Sequence, residues 1–378
     1  MKILHVVPSY KPAFIYGGPI MSVAMLCQSQ FALGHSVFVF TTTANGKFEL
    51  PVVEGVEHDV EGVNVTYFRR ITGDHSHVSP ALWRRLWGSC KDFDVVHIHS
   101  WWSPLVVFAT LVCVLRGIRP VLSPRGMLSS YSFEATNSLV KRLMHAVIGR
   151  RLLKETVLHA TSQLEVADCT RVIDGWHHFI LPNMVKLPTG VFNHHNGELF
   201  TLVFLSRIDP KKGLELTLRA LSEVNFRFRV VIAGEPDDKY LGELQVLVES
   251  LHLSQAVEWV GWKKDEDKFQ LLADSDLFFL TSYNENFANV VVEALFVGTP
   301  VLISDKVGLF DYVLQKGFGW ITDLSIASIR SKLNEAYGQE GKRNYIRINA
   351  PHVVKKDFSR DNLSKRYINE YQKLKDIE

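Results

Sequence analysis

Two glutamates, Glu285 and Glu293, stand eight positions apart in the segment Ser282 to Pro300. The first lies in a polar loop, and the second falls about one turn into the helix that the next residues predict. A helix start between them presents unpaired N–H groups and the positive end of the helix dipole, a seat for an anion. A carboxylate on either side accepts hydrogen bonds from hydroxyl groups. A pyrophosphate with a ribose at one end and a sugar at the other, a nucleotide-sugar, has that shape. Val290, Val291 and Val292 are β-branched and by propensity alone favour a strand. Asn289 before them and Glu293-Ala294-Leu295 after them favour a helix, and burial against a sheet overrides propensity.

Other residues extend this chemistry. Arg207 and Lys212 lie in Phe204 to Gly213, just after an apolar run that reads as a strand. Two cations there neutralise a diphosphate and stabilise the charge that develops as it leaves; alone, the stretch also reads as a solvated basic turn. Gly17 and Gly18 follow the first strand and open a helix, where glycine lets a ligand come close to the backbone. They do not form GxGxxG, and no acidic residue stands where a dinucleotide fold needs one, which argues against a nicotinamide enzyme. His97 and His99 share one face of a strand end. No carboxylate completes a metal set around them, so no metal is expected: His99 reads as a polar group near the reacting atoms and His97 as a hydrogen-bonded core histidine. Arg125 follows a further strand, where it holds an acceptor phosphate or hydroxyl or steadies its loop by an ion pair. The pairs Asp92/Asp94, Asp265/Asp267 and Asp274/Asp276 invite a metal reading. Asp94 and Asp276 precede their strands, the wrong end of a parallel sheet for a ligand, and the pairs read as turn residues.

The elements that must position these groups recur in a βα rhythm. Strands are expected at Ile3–Val7, Val37–Thr41, Val95–His99, Val121–Ser123 and Val157–Ala160, with helices from about Ile20, from Pro104 and after a capping box at Ser162 to Glu165. A polar stretch, Leu181 to Gly197, reads as a linker. The rhythm restarts at Thr201–Leu205, Val230–Ala233, Val257–Val260, Leu277–Leu280 and Pro300–Ser304. Short, continuously apolar runs of this kind suit buried parallel strands. From about Asp357 the tail is amphipathic, with Leu363, Tyr367, Ile368, Tyr371 and Leu374 on one stripe.

Composition sets the outer bounds. The chain has 378 residues, 47% hydrophobic and 22% charged, which predicts two soluble domains. The net charge of +2 does not imply nucleic acid as a partner. Residues 1–190 carry 18 Lys and Arg against 13 Asp and Glu, and residues 191–378 carry 24 against 27. A basic front half suits an anionic acceptor or a membrane surface, and the basic-apolar run Val140 to Lys154 either lies on such a surface or packs on its own sheet. Four cysteines without CxxC spacing argue against disulfides and zinc and suggest a reducing compartment. No signal peptide is read at the start, and the longest apolar run, Leu105 to Leu115, is too short to span a bilayer. A cytoplasmic protein, peripheral at most to the inner membrane face, is expected.

With these residues in hand, the chain resembles the retaining glycosyltransferases of family 4. The likeness rests on Glu285-x7-Glu293, Ser206-Arg207 with Lys212, Gly17-Gly18, the Ala233-Gly234 turn and His97-x-His99, and covers essentially the full length. It implies an α/β protein of GT-B fold: two Rossmann-like domains with parallel sheets facing across a cleft. Residues 1–190 would bind the acceptor and 191–356 the donor, with a helix in 357–378 crossing back to the front domain. It further implies that Glu293 holds the ribose and Glu285 the transferred sugar. The backbone of Phe287, Ala288, Asn289 and Val290, with Arg207 and Lys212, would hold the diphosphate, helped by Gly18 and Gly234. Gly17, Pro19 and Arg125 would meet the acceptor, and His99 would touch the sugar near the reacting carbon. Transfer with retention, needing no cofactor beyond the nucleoside-diphosphate donor, would proceed by positioning and electrostatics. Family habit favours UDP over GDP and a surface polysaccharide or glycolipid acceptor. Two departures stand out: Ala288 where the family often has glycine, and Met184 where it often reads Pro-Asn-Gly. The rival readings are a nucleotide-sugar epimerase and a non-catalytic sugar-binding scaffold.

Overall fold

The computed structural model describes residues 1–134, 145–190, 192–194, 197–235 and 237–375. The chain divides into two compact units, Met1–Met184 with Arg360–Glu378, and Val185–Ser359.

The first unit contains β1 (Lys2–Val6), β2 (Ser36–Thr42), a small antiparallel pair β3 (Ala44–Asn45) and β4 (Phe48–Glu49), then β5 (Glu57–Val60), β6 (Val63–Phe68), β7 (Val95–His99), β8 (Val121–Ser123), β9 (Val157–Ala160) and β10 (His178–Ile180). Eight of these form one sheet in the order β10-β9-β8-β7-β1-β2-β6-β5. Every neighbouring pair is parallel except β5 with β6. The chain leaves β1 towards β2 on one side and leaves β7 towards β8 on the other. Their connections therefore diverge and open a crevice at the carboxyl ends of β1 and β7. β7, β8 and β9 are buried along their whole length, as strands covered on both faces must be.

The second unit repeats the plan with β11 (Phe200–Leu205), β12 (Phe228–Ala233), β13 (Val257–Trp259), β14 (Leu277–Leu280), β15 (Val301–Ser304) and β16 (Gly319–Thr322). The order is β13-β12-β11-β14-β15-β16, all parallel. Here the connections diverge between β11 and β14.

The segment 289–296 is a helix, as its flanks suggest against its valines. Val291, Val292, Ala294 and Leu295 are fully buried, so packing decides the local conformation. The capping box is half formed. Ser162 Oγ accepts from Glu165 N–H, but the Glu165 carboxylate turns away to Thr161 and Gly126. The unit boundary falls after Met184 rather than at 190. Met184 packs in the core of the first unit and Val185 in that of the second. The tail helix is Arg360–Lys375. Phe358 still belongs to the second core, whereas Leu363, Tyr367, Ile368 and Tyr371 are buried in the first. Residues 140–144 of the basic run, and 191 and 195–196 of the expected linker, lie outside the described residues. In Arg150–Lys154, Leu152 and Leu153 are buried and the three cations exposed. No helix among the described residues is long and apolar enough to cross a membrane.

Candidate active site

In the second unit the loop after β11 is tied down at both ends. Ser206 N–H donates to Ala233 O at 3.2 Å and Ile208 N–H to Glu235 O at 2.9 Å. Gly234 makes this possible: a Cβ there would stand 2.1 Å from Ser206 O. Its own N–H is taken by Gly261 O, so what Gly234 provides in the fold is clearance for the Arg207 loop. Asp209 then caps a 3-10 turn, Pro210–Lys212, that carries Lys212 inward. Lys212 Nζ meets Glu285 in an ion pair. Arg207 is exposed and makes no ion pair among the described residues.

The loop after β14 is stitched on both sides. Tyr283 N–H donates to Lys211 O at 2.9 Å, and Thr281 Oγ1 to Gly213 O at 2.8 Å. Glu285 N–H donates to Lys306 O at 3.0 Å, and Gly308 N–H returns a bond to Glu285 O at 2.8 Å. The Glu285 backbone is therefore fixed between the loops that follow β11 and β15. Burial holds the Lys211 ammonium below its usual range, with Glu285 opposing.

Phe287 turns its side chain into the core, where it is 2% exposed and meets Phe358; only its backbone remains for a ligand. Ala288 is the N-cap of the following helix at φ 68°, ψ 75°, with no side-chain cap. Left-handed geometry costs alanine about 1–2 kcal/mol. Asn289 and Val290 occupy the first helical positions, so their N–H groups have no intrahelical acceptor. Glu293 is buried and accepts from Lys268 Nζ at 2.6 Å. Sequence reading missed Lys268: it lies 25 residues upstream, on the helix Asp265–Ala273, and no local pattern links the two.

In the first unit Gly17 precedes the helix Gly18–Ala32 at φ 70°, ψ −140°, a conformation open to glycine. Pro19 and Ile20 line a pocket of about 580 Å³ that also borders His99 and Arg125. Register places His5 of β1 beside His97 of β7, and His99 beside Ser123 of β8. His97 bonds Tyr371 Oη through Nδ1 and Ser123 Oγ through Nε2, both at 2.6 Å. Ser123 Oγ continues to His159 Nδ1, and His159 Nε2 meets Tyr367 Oη at 3.0 Å.

A second chain fixes its own tautomers. Arg125 Nε and Nη2 approach His99 Nδ1 at 3.4 and 3.3 Å. Arginine can only donate, so Nδ1 accepts and Nε2–H donates to His5 Nδ1 at 2.9 Å. His5 Nε2–H then donates to Gln30 Oε1 at 2.8 Å. Burial holds all four imidazoles neutral: His5 falls to about 4, His159 to about 3, and His97 and His99 well below their usual value. The nitrogens of His5, His97 and His99 lie close enough to suggest a metal, but all six are engaged in these bonds. Both ring nitrogens of His99 turn into the protein. His99 nevertheless lines the pocket, so what it can offer a ligand there is its ring and not a free ring nitrogen.

Arg125 itself adopts φ 54°, and Gly126 N–H donates to Glu165 Oε1 at 2.8 Å. The ion-pair reading of Arg125 does not hold. Its Nη1 donates to Asn183 Oδ1 at 2.9 Å, and among the described residues no carboxylate pairs with it. The Asp-x-Asp residues are engaged at the amino ends: Asp94 accepts from Lys2 N–H and Lys375, and Asp276 from Thr201 N–H.

Comparison with known proteins agrees with this architecture. Residues 17–183 match the family model for the glycosyl transferase 4-like domain, and 191–353 that for glycosyl transferases group 1. An uncharacterized glycosyltransferase of Methanocaldococcus jannaschii is 25% identical over 98% of both chains. A phosphatidyl-myo-inositol mannosyltransferase of Propionibacterium freudenreichii is 26% identical over 66% of this chain and 62% of its own. Among solved structures, sucrose-phosphate synthase from Thermosynechococcus elongatus superposes with TM-score 0.75 at 17% identity, covering 100% of both chains. Anabaena HepE in complex with UDP does so with TM-score 0.75 at 18%, covering 99% of this chain and 100% of its own. The two family models together take up most of the chain, and the protein belongs to the family 4-type glycosyltransferases of GT-B fold.

Proposed function

We propose that this glycosyltransferase moves a sugar from a nucleoside-diphosphate-sugar, UDP before GDP, to an acceptor hydroxyl with retention at the anomeric carbon and without a metal ion. The observation that carries the reading is the meeting of Lys212 and Glu285 where the connections of β11 and β14 diverge, directly before the helix Asn289–Phe296. The N–H groups of that helix and the free guanidinium of Arg207 would receive the diphosphate. Glu293, oriented by Lys268, would accept from the ribose hydroxyls, and Glu285 from the sugar. Lys212 has donors beyond the one it gives Glu285, so it can bridge that carboxylate and the leaving phosphate. His99 would act through Arg125 as a positioning residue. The UDP and UDP-glucose complexes of HepE favour uridine, and the mannosyltransferase relative favours a glycolipid or surface-polysaccharide role.

Calorimetric titration with UDP and GDP tests the donor assignment. UDP should bind more tightly, and Glu293→Ala should weaken it by about 30-fold, roughly 2 kcal/mol, with Glu293→Gln intermediate. Unchanged affinity in both variants removes Glu293 from the site. Turnover should survive excess EDTA; a strict divalent requirement would overturn the metal-free part.

A further inference from the structure

The pocket of the first unit combines two chemistries. Val7, Ile20, Val23, Trp102, Pro104 and Met127 give it an apolar wall, and Arg125 is the one Lys, Arg, Asp or Glu among its lining residues. A half-buried cation normally rests on a carboxylate. Arg125 rests on a neutral imidazole and an amide. Glu165, a carboxylate whose charge favours the guanidinium, directs both oxygens to Gly126 N–H and to the N–H and hydroxyl of Thr161. The guanidinium carries five N–H groups in a rigid fork. His99 Nδ1 and Asn183 Oδ1 engage part of it and leave N–H groups over. The side chain is held in place from behind by the one-way chain through His99 and His5 to Gln30.

The backbone around the pocket is strained where it counts. His77, Ser100 and Arg125 all line it, and all three take positive φ without being glycine, at 51°, 80° and 54°. Strain of this kind costs about 1–3 kcal/mol per residue and gathers at ligand sites. The Ser9 hydroxyl, also on the wall, has no hydrogen-bond partner among the described residues. The volume lies within the range of small-molecule sites, about 300–1,000 Å³.

We infer that this pocket takes an acceptor bearing a phosphate group next to an apolar portion, with the Arg125 fork on the phosphate and the Ile20–Trp102–Met127 wall on the apolar part. The inference rests on the transferase reading for its role, but not for its test. An anion supplies the compensation that Arg125 lacks, and a fork binds tetrahedral oxyanions through two parallel bonds. The apolar wall excludes a ligand that is phosphate alone.

The probes are octyl phosphate below its micellar concentration, octyl glucoside as its neutral counterpart, and inorganic phosphate as the anion without the chain. Each is titrated calorimetrically into the full-length protein. Octyl phosphate should bind at least about tenfold more tightly than either comparison, a difference near 1.4 kcal/mol. Arg125→Gln should erase the preference over octyl glucoside while UDP binding persists, and Arg125→Lys should keep part of it. Octyl glucoside binding as tightly as octyl phosphate would overturn the anionic half. Inorganic phosphate binding as tightly would overturn the apolar half and point to a free phosphate-bearing sugar. The wild-type comparison decides both halves even if the glutamine variant fails to fold. UDP titrated into the same samples reports on the donor reading separately.

Discussion

The candidate site residues of the two units handle charge in opposite ways. In the second, each candidate acid already holds a lysine: Glu285 with Lys212, Glu293 with Lys268. In the first, Arg125 makes no ion pair among the described residues and leans on a ladder of neutral imidazoles. A self-paired site keeps its geometry when empty, because removing the ligand strands no charge. A cation supported by neutral groups is stable only while burial is partial and its supporting acceptors stay deprotonated. The contrast assigns rigidity to the Glu285 and Glu293 loops of the second unit, proposed to hold the donor, and ligand dependence to the Arg125 pocket of the first.

The largest effect should come from the element that braces the ladder. Leu363, fully buried, belongs to the helix Arg360–Lys375, which supplies Tyr367 and Tyr371 to the first core. Leu363→Ala should cost about 3 kcal/mol. Hydrogen exchange should show lost protection in β1, β7 and the helix Gly18–Ala32, with the β11–β16 sheet unchanged. Equal loss in both units would mean that the tail does not belong to the first alone.

Acid should separate the units next. His5 and His77 sit near 4 and His159 near 3 in the folded chain, all depressed by burial from 6.5. The unfolded chain therefore binds protons that the folded chain refuses. The stability these groups contribute is fully present above about pH 6.5 and is lost as pH falls towards about 4. Urea unfolding followed at about pH 7, 6 and 5 should show the first unit losing more than about 1.4 kcal/mol per pH unit, since more than one proton is taken up. A flat response there would remove the neutral-imidazole account. A matching fall in the second unit would erase the contrast.

These differences also mark what the sequence can show. β7, β8, β9 and β14 begin and end at the residues where their apolar runs do, because strands buried on both faces leave no alternative reading. β6 is less visible: Asn64 and Thr66 break its apolar run, and only its register with β2 makes it a strand. The pair Glu285 and Glu293 is legible because loop and helix are contiguous. Lys268, Asn183 and His5 are not, since crossovers bring them to the site from 25, 58 and 94 residues away. The ring orientation of His99 is equally invisible beforehand, because it depends on a tautomer that Arg125 imposes from another strand. Gly234 shows the limit of motif reading. Glycine is required there by a backbone crossing, which the motif does not state.

The smallest expected effect lies at Ala288, where the loop proposed to hold the donor departs from its own rigidity. Alanine holds φ 68° at the helix start although glycine would adopt it freely. Relief of the left-handed strain, about 1–2 kcal/mol, is partly offset by the greater freedom of glycine in the unfolded chain, about 0.4–1 kcal/mol. Ala288→Gly should therefore raise the stability of the second unit by about 0.5–1 kcal/mol and leave UDP affinity unchanged. The methyl group is buried among core side chains, so a net loss of stability would show that its packing outweighs the strain. A gain in stability with weaker UDP binding would show instead that the strained N-cap holds the first-turn N–H groups in their binding orientation. In that case the Ala288 loop, like the Arg125 pocket, would store strain for its ligand.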